Sequence, residues 1–174
     1  MIFSFDILED YQISIQYNRC KMSNAKTMTV ADVMTKSVIS VDASISINEA
    51  AKMMEDAKVG AVIVMEDNTP IGIVTDRDFA IKVAAHAYQI SSPVKQIMSS
   101  PLLSINSDES VRTASDLMHD RGVRKLPVID NEKVVGMITA TDIVNLLAVC
   151  AEEDMRDMYF HSVVKIYTNY SPYN

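Results

Sequence analysis

The sequence predicts an α/β fold (α+β in its order of elements) made of two tandem copies of one strand-helix-strand-strand-helix unit. Of the 174 residues, 48% are hydrophobic, which is enough for a substantial core. The stretch from Gly72 to Asp78 reads Gly-apolar-apolar-Thr-x-x-Asp, and Gly136 to Asp142 repeats that pattern 64 positions later. The same offset aligns Met34 with Met98 and needs no gap. Self-similarity at one fixed offset indicates two copies of one supersecondary unit.

The first copy is predicted over residues 30–90 and opens with a short apolar strand from Val38 to Val41. Ser46 and Glu49 have the spacing of a capping box, which predicts the start of a helix of about three turns. Two continuous apolar runs on either side of the turn Asp67 to Pro70 predict a hairpin buried on both faces. A second helix is predicted from Asp76 to Tyr88.

The second copy is predicted over residues 91–150 and repeats this order of elements. Its predicted elements are a strand at Leu102 to Ile105, a helix at Ser110 to Asp120, strands at Leu126 to Ile129 and Val134 to Ile138, and a helix from Thr141 onward.

Both ends of the chain lie outside the duplication. Residues 1–29 are predicted to form an N-terminal arm, and residues 151–174 a C-terminal helix with an aromatic tail. Met22 and Met28 lie just before the first copy, so a translation start at either is an alternative to Met1. Each end is a candidate for packing on the repeats or for binding a partner.

Composition argues against several classes of function. A net charge of −7 and a pI near 4.9 disfavour a nucleic-acid surface, because neutralising phosphates needs clustered Lys and Arg. Neither a span of about 20 apolar residues nor a signal peptide is evident, so we expect a cytoplasmic protein without a membrane segment. Cys20 and Cys150 lack metal-ligand spacing, which disfavours a zinc site. Because the sequence offers no nucleophile paired with a base, an enzyme is not expected.

Several motifs at matching places in the two copies resemble those of CBS domains. They are Asp32-Val33-Met34 at the entry, Val123 to Asp130 before the second hairpin, and the two Gly-to-Asp stretches at the exits. The resemblance covers Val30 to about Ala148. It implies a pseudo-two-fold module with two clefts for adenosine-containing ligands such as AMP, ADP, ATP or S-adenosylmethionine, and no required cofactor. It also implies a regulatory role and a homodimer.

The two Thr-x-x-Asp turns are the candidate ligand sites. One carboxylate can accept hydrogen bonds from both hydroxyls of a ribose, and Asp78 and Asp142 hold the matching positions. The hydroxyls of Thr75, Thr139 and Thr141 can bind ribose or phosphate. The exposed amides of a helix N-terminus favour an anion at the same place.

The resemblance also implies which other residues line the clefts. They are Thr35, Ile39, Ser99 and Leu103 on the segments that the opposing repeat supplies to hold the base, and Val59, Gly60, Ala61, Val123, Arg124, Lys125 and Arg77 around the sugar and phosphates. The second copy has Arg124 and Lys125 where the first has Gly60 and Ala61, so unequal binding by the two clefts is expected. A phosphate tail needs cations, so at least one cleft is expected to prefer AMP, ADP or ATP over uncharged adenosine.

The same residues also have plainer interpretations. Thr three residues before Asp is a helix capping box, and Arg124 with Lys125 can be a solvated pair at a strand entrance. Two functions therefore remain open on sequence grounds. One is a nucleotide-binding regulatory module that passes its ligand state to a protein partner. The other is a structural or dimerisation scaffold with vestigial clefts.

Overall fold

The computed structural model describes residues 28–149, 160 and 163–168. Most of the predicted N-terminal arm and most of the predicted aromatic tail lie outside these residues, as do Met1, Met22 and Cys20. The described residues form two compact units. One contains residues 28–35, 105–128, 136–149, 160 and 163–168, and the other contains residues 36–104 and 129–135. Each unit therefore contains pieces of both copies of the duplication.

The predicted helices and strands occur in the predicted order along the described chain, except for the strand from Leu102 to Ile105, which is not formed. The observed elements are α1 (Val30–Val33), β1 (Ser40–Asp42), α2 (Ile47–Ala57), β2 (Ala61–Glu66), β3 (Thr69–Thr75), α3 (Asp76–Asp78), a π-helix (Phe79–Ala85), a 3-10 helix (Val94–Gln96), α4 (Val111–Arg121), β4 (Lys125–Asp130), β5 (Lys133–Thr139) and α5 (Ala140–Val149). None of the helices in the described part is both long enough and apolar enough to cross a membrane.

The unit built on the first copy has a three-stranded sheet in the order β1-β2-β3. Strand β1 runs parallel to β2, and β3 pairs antiparallel with β2. Helix α2 starts as predicted: the Ser46 hydroxyl accepts the Glu49 N–H at 3.1 Å, and the Glu49 carboxylate accepts the Ser46 N–H at 2.9 Å. Its buried side chains Ile47, Ala50 and Met54 belong to the same core as those of β2, so one face of this helix packs against the sheet.

The chain after β3 differs from the single helix predicted from Asp76 to Tyr88. Helix α3 is one short turn, and the π-helix that follows ends at Ala85. The His86 N–H donates to the Ile81 carbonyl five residues back at 3.0 Å, which marks the wider turn of a π-helix. The apolar spacing that predicted a helix cannot distinguish a π-helical turn from an α-helical one.

The unit built on the second copy contains α4, α5, β4 as far as Val128 and β5 from Gly136 onward. Ser110 is the N-cap of helix α4, and its hydroxyl accepts the Thr113 N–H at 3.0 Å. Gly122 is the C-cap and lies in the left-handed region with φ 63°. The predicted strand from Leu102 to Ile105 is not formed. Only Ile105 makes a bridge, to Val128. Of this run only Ile105 is buried, and Leu102, Leu103 and Ser104 are half-buried.

A short segment of the other copy runs beside the last hairpin strand in each unit. The N–H of Thr35 donates to the Met137 carbonyl at 2.9 Å, and the Met137 N–H donates back at 2.9 Å. The N–H of Ser99 likewise donates to the Ile73 carbonyl at 2.8 Å, and the Ile73 N–H donates back at 3.2 Å. Thr35 therefore lies beside β5, and Ser99 lies beside β3.

Two glycines make this close approach possible. A Cβ on Gly72 would lie 2.6 Å from Met98 Sδ and 2.9 Å from the Ser99 carbonyl oxygen. A Cβ on Gly136 would lie 2.5 Å from Met34 Sδ. The glycine that opens each Gly-apolar-apolar-Thr pattern is thus needed because it leaves room for the crossing segment.

Candidate functional site

In the unit built on the first copy, both oxygens of the Asp78 carboxylate are occupied. Oδ2 accepts the Thr75 N–H at 2.9 Å and the Thr75 hydroxyl at 2.7 Å. Oδ1 lies 3.0 Å from Lys82 Nζ. The side chains of Asp78 and Lys82 are 13% and 29% exposed, so this ion pair is only partly open to solvent.

The Lys82 ammonium has two further partners in the same unit. Nζ donates to the Ile97 carbonyl at 2.6 Å and to the Met98 carbonyl at 3.3 Å. An ammonium has three donors, and these two bonds with the one to Asp78 use all of them. Sequence analysis did not single out Lys82, although its position four residues after Asp78 places both on one helical face and was the available signal.

In the other unit, the Asp142 carboxylate makes the same cap, and no cation among the described residues pairs with it. Oδ2 accepts the Thr139 N–H and the Thr139 hydroxyl, both at 2.7 Å. Leu146 stands where the first copy has Lys82, and it is fully buried. Within the described part of the chain, Oδ1 of Asp142 has neither a hydrogen bond nor an ion pair. In that part of the chain, every side-chain oxygen or nitrogen that is shielded from solvent has a hydrogen-bond partner. Because Oδ1 of Asp142 has none, it must be exposed to solvent.

The environment of Asp142 disfavours its charge. Burial raises the pKa of the Asp142 carboxyl above its usual value, and the two hydrogen bonds from Thr139 oppose this effect only in part. The ionised carboxylate therefore lacks full compensation for its lost hydration. A further donor at Oδ1, such as a sugar hydroxyl, would supply it.

A third Thr-x-x-Asp pair shows what the capping arrangement does by itself. Asp32 Oδ2 accepts the Thr29 N–H at 3.0 Å and the Thr29 hydroxyl at 2.8 Å at the start of α1. The geometry matches that of Asp78 and Asp142. A capping box alone therefore starts a helix, and any ligand role depends on the residues around it.

The other predicted residues of the first site lie in the same unit as Asp78. They are Val59, Gly60, Ala61, Arg77, Ser99 and Leu103. The Gly60 carbonyl accepts the Asp76 N–H at 3.3 Å, and Ala61 pairs with Thr75 across β2 and β3. The structure thus brings the start of β2 to the Thr75 turn, while the Arg77 side chain is exposed.

The segment from Thr35 to Ile39 was predicted to line one cleft, but its two ends belong to different units. The Ile39 carbonyl accepts the Ile63 N–H at 3.0 Å in the sheet of the first copy. Thr35 pairs instead with Met137 on β5. Of these two predicted residues, only Thr35 shares a unit with Asp142.

The predicted basic residues lie in the unit of Asp142, together with Val123 and the exposed Thr141. The Arg124 carbonyl accepts the Ala140 N–H at 2.9 Å, which ties the start of β4 to the start of α5. The Arg124 guanidinium is 5.9 Å from the centre of the Tyr167 ring, within the range of a cation–π contact. Lys125 follows at the first position of β4. The second copy therefore carries two cationic residues in the unit that holds its carboxylate.

No group of three or more His, Cys, Asp or Glu residues is placed to hold a metal ion within the described residues.

His119 Nδ1 makes a short hydrogen bond with the Lys165 carbonyl, and Lys165 Nζ lies 2.7 Å from Asp116 Oδ1. These contacts join residues 163–168 to α4.

Comparison with known proteins gives matches over both copies of the duplication. The model of the CBS domain matches residues 30–85 and 94–149. The CBS domain-containing protein YhcV of Bacillus subtilis is 36% identical over 115 residues, which cover 66% of this chain and 82% of that protein. Homoserine O-acetyltransferase of Methanohalobium evestigatum is 30% identical over 120 residues, which cover 68% of this chain but 24% of that protein.

Solved structures agree with the family match. The CBS domain pair of protein MJ0100, crystallised with 5′-methylthioadenosine and S-adenosyl-L-methionine, has a TM-score of 0.63 at 28% identity and covers 71% of this chain and 98% of that one. The predicted family and fold class are both confirmed. This chain belongs to the CBS-domain family and carries two CBS domains in tandem.

Proposed function

We propose that this chain is a regulatory module that binds an adenosine-containing ligand and transmits the ligand's presence to a protein partner. The observation that carries the proposal is the Asp142 carboxylate, which has one oxygen capped by Thr139 and the other open to solvent. The MJ0100 pair, which was solved with two adenosine compounds, supports the same ligand class here.

The chemistry around Asp142 suits a nucleotide. Oδ1 can accept both hydroxyls of a ribose in charge-assisted hydrogen bonds. The first turn of α5 offers backbone amides to an anion, and Arg124 and Lys125 contribute two positive charges to the same unit. We therefore expect AMP, ADP or ATP to bind more tightly than S-adenosylmethionine, whose sulfonium is positively charged.

Regulation in this proposal requires no catalysis. A ligand shifts a conformational equilibrium only by its differential affinity for the two states, so the nucleotide must favour one arrangement of the module. We propose that a cytoplasmic homodimer carries this change to the partner. The similarity to the homoserine O-acetyltransferase covers 24% of that protein, so its activity is not carried over to this chain.

The test is isothermal titration of the nucleotide-stripped full chain with AMP, ADP, ATP and S-adenosylmethionine in turn. We expect saturable binding of at least one of them, and loss of that binding in Asp142→Ala. Asp32→Ala is the matched control, because it removes the same capping carboxylate at a turn that is not a candidate site. Neither heat nor thermal stabilisation with any of the four would overturn the proposal and favour a structural scaffold.

A further inference from the structure

The two carboxylates of the duplication differ in one neighbour. Both Asp78 and Asp142 cap a helix through Oδ2 and a threonine. Four residues later the first copy has Lys82, whose ammonium lies 3.0 Å from Asp78 Oδ1, and the second has the buried Leu146. The atom that would accept a ribose is therefore paired in one copy and open in the other.

From this difference we infer that Lys82 closes the first site and that the chain binds one adenosine-type ligand, at Asp142. The inference rests on the proposed function and specifies its site. It makes Lys82 a specificity-determining residue, because its side chain decides which of two similar carboxylates is available to a ligand.

Lys82 is not free to turn toward a ligand phosphate instead. Its three donors are directed to Asp78 Oδ1 and to the carbonyls of Ile97 and Met98. Rotating the ammonium away would leave both carbonyls and the carboxylate without this donor, and buried polar groups are costly to leave unpaired. A ligand at Asp78 would have to share Oδ1 with Lys82 or displace it.

The remaining lone pair on Asp78 Oδ1 can accept one hydroxyl, whereas Oδ1 of Asp142 can accept two. Losing one hydrogen bond to a charged acceptor lowers affinity by about ten- to a hundredfold. The first site is therefore expected to stay empty at ligand concentrations that fill the second. The distribution of positive charge also favours binding at Asp142, because Arg124 and Lys125 belong to its unit.

The test measures how many ligands bind per chain, by titrating the full chain with AMP, ADP, ATP and S-adenosylmethionine in turn. We expect one ligand per chain for the wild type and none for Asp142→Asn at the same concentrations. Lys82→Leu gives the first copy the residue of the second, and should raise the number to two. Adding Asp78→Asn to Lys82→Leu should return it to one.

Circular dichroism of each variant checks folding, and Lys82→Met replaces Lys82→Leu if the latter does not fold. Two equivalent sites in the wild type, binding that survives Asp142→Asn, or a folded Lys82 variant that still binds one ligand would each overturn the inference alone. Absence of binding by the wild type to all four compounds would overturn the proposed function, and this inference with it.

Discussion

Replacing Gly72 with alanine tests the packing that holds the crossing segment against β3. The added Cβ would lie 2.9 Å from the Ser99 carbonyl oxygen and 2.6 Å from Met98 Sδ. Met98 can move its side chain, but the Ser99 carbonyl is backbone and accepts the Ile73 N–H at 3.2 Å. Relief of the clash therefore requires Ser99 to move away from the strand, which stretches both of its hydrogen bonds to Ile73.

Overpacking of this kind costs about 1–3 kcal/mol of unfolding free energy. For a chain of this length, each kcal/mol lowers the melting temperature by about 2–4 °C, so we expect a fall of roughly 2–12 °C. Urea unfolding and calorimetry would measure both quantities. Hydrogen exchange at the Ser99 amide should accelerate more than exchange in α4, which belongs to the other unit.

The double variant Gly72→Ala with Met98→Ala separates the two clashes. If the sulfur is the main obstacle, the double variant will be more stable than the sum of the single changes predicts. If the Ser99 backbone dominates, the two costs will add. An unfolding free energy for Gly72→Ala within about 0.5 kcal/mol of wild type would refute the claim that glycine is needed there.

Three further predictions concern a cap, the core and the ionisation of Asp142. Ser46→Ala removes the cap of α2 and should cost about 1 kcal/mol of unfolding free energy by urea unfolding, whereas Ser46→Thr, which keeps the hydroxyl that bonds Glu49, should cost less. Met118→Ala empties a fully buried position and should cost about 2–5 kcal/mol by urea unfolding; a cost below 1 kcal/mol would show that the core closes around the gap. The pKa of Asp142 is raised in the folded state, so its ionisation opposes folding. The stability of wild type relative to Asp142→Asn should be highest below the usual carboxyl pKa of 3.8 and should fall as pH rises through the raised value. Unfolding at a series of pH values measures this difference, and a rise with pH would contradict the assignment.

Local patterns in the sequence predicted most of the elements. The capping box at Ser46 and the apolar spacing after it predicted α2, and the two apolar runs around Asp67 predicted the first hairpin. These features depend on neighbouring residues, so they can be read directly. The π-helix could not be predicted in this way, because its 7 residues are too few for a longer period to show in the apolar spacing.

Contacts between distant residues were harder to predict. The resemblance to CBS domains implied that each repeat supplies a segment to the other's cleft. In the structure Thr35 lies beside Met137 and Ser99 lies beside Ile73, and the role of these segments in a ligand cleft stays a prediction. The sequence did not indicate which end of the Thr35 to Ile39 segment joins which unit. The role of Lys82 was also missed, since a lysine on a helix is usually a solvated charge and only the positions of the Ile97 and Met98 carbonyls show that it is fully bonded.

Recognition of a ribose by Asp142 can be tested most directly with a cycle of one protein change and one ligand change. The tightest of the four ligands and its 2′-deoxy analogue are each titrated into the wild type and, at ligand concentrations high enough to measure its weakened binding, into Asp142→Asn. Hydrogen bonding of the hydroxyl to the carboxylate predicts that removing the hydroxyl weakens binding by about tenfold or more in the wild type and by much less in the variant. Equal losses in both proteins would contradict ribose recognition by Asp142.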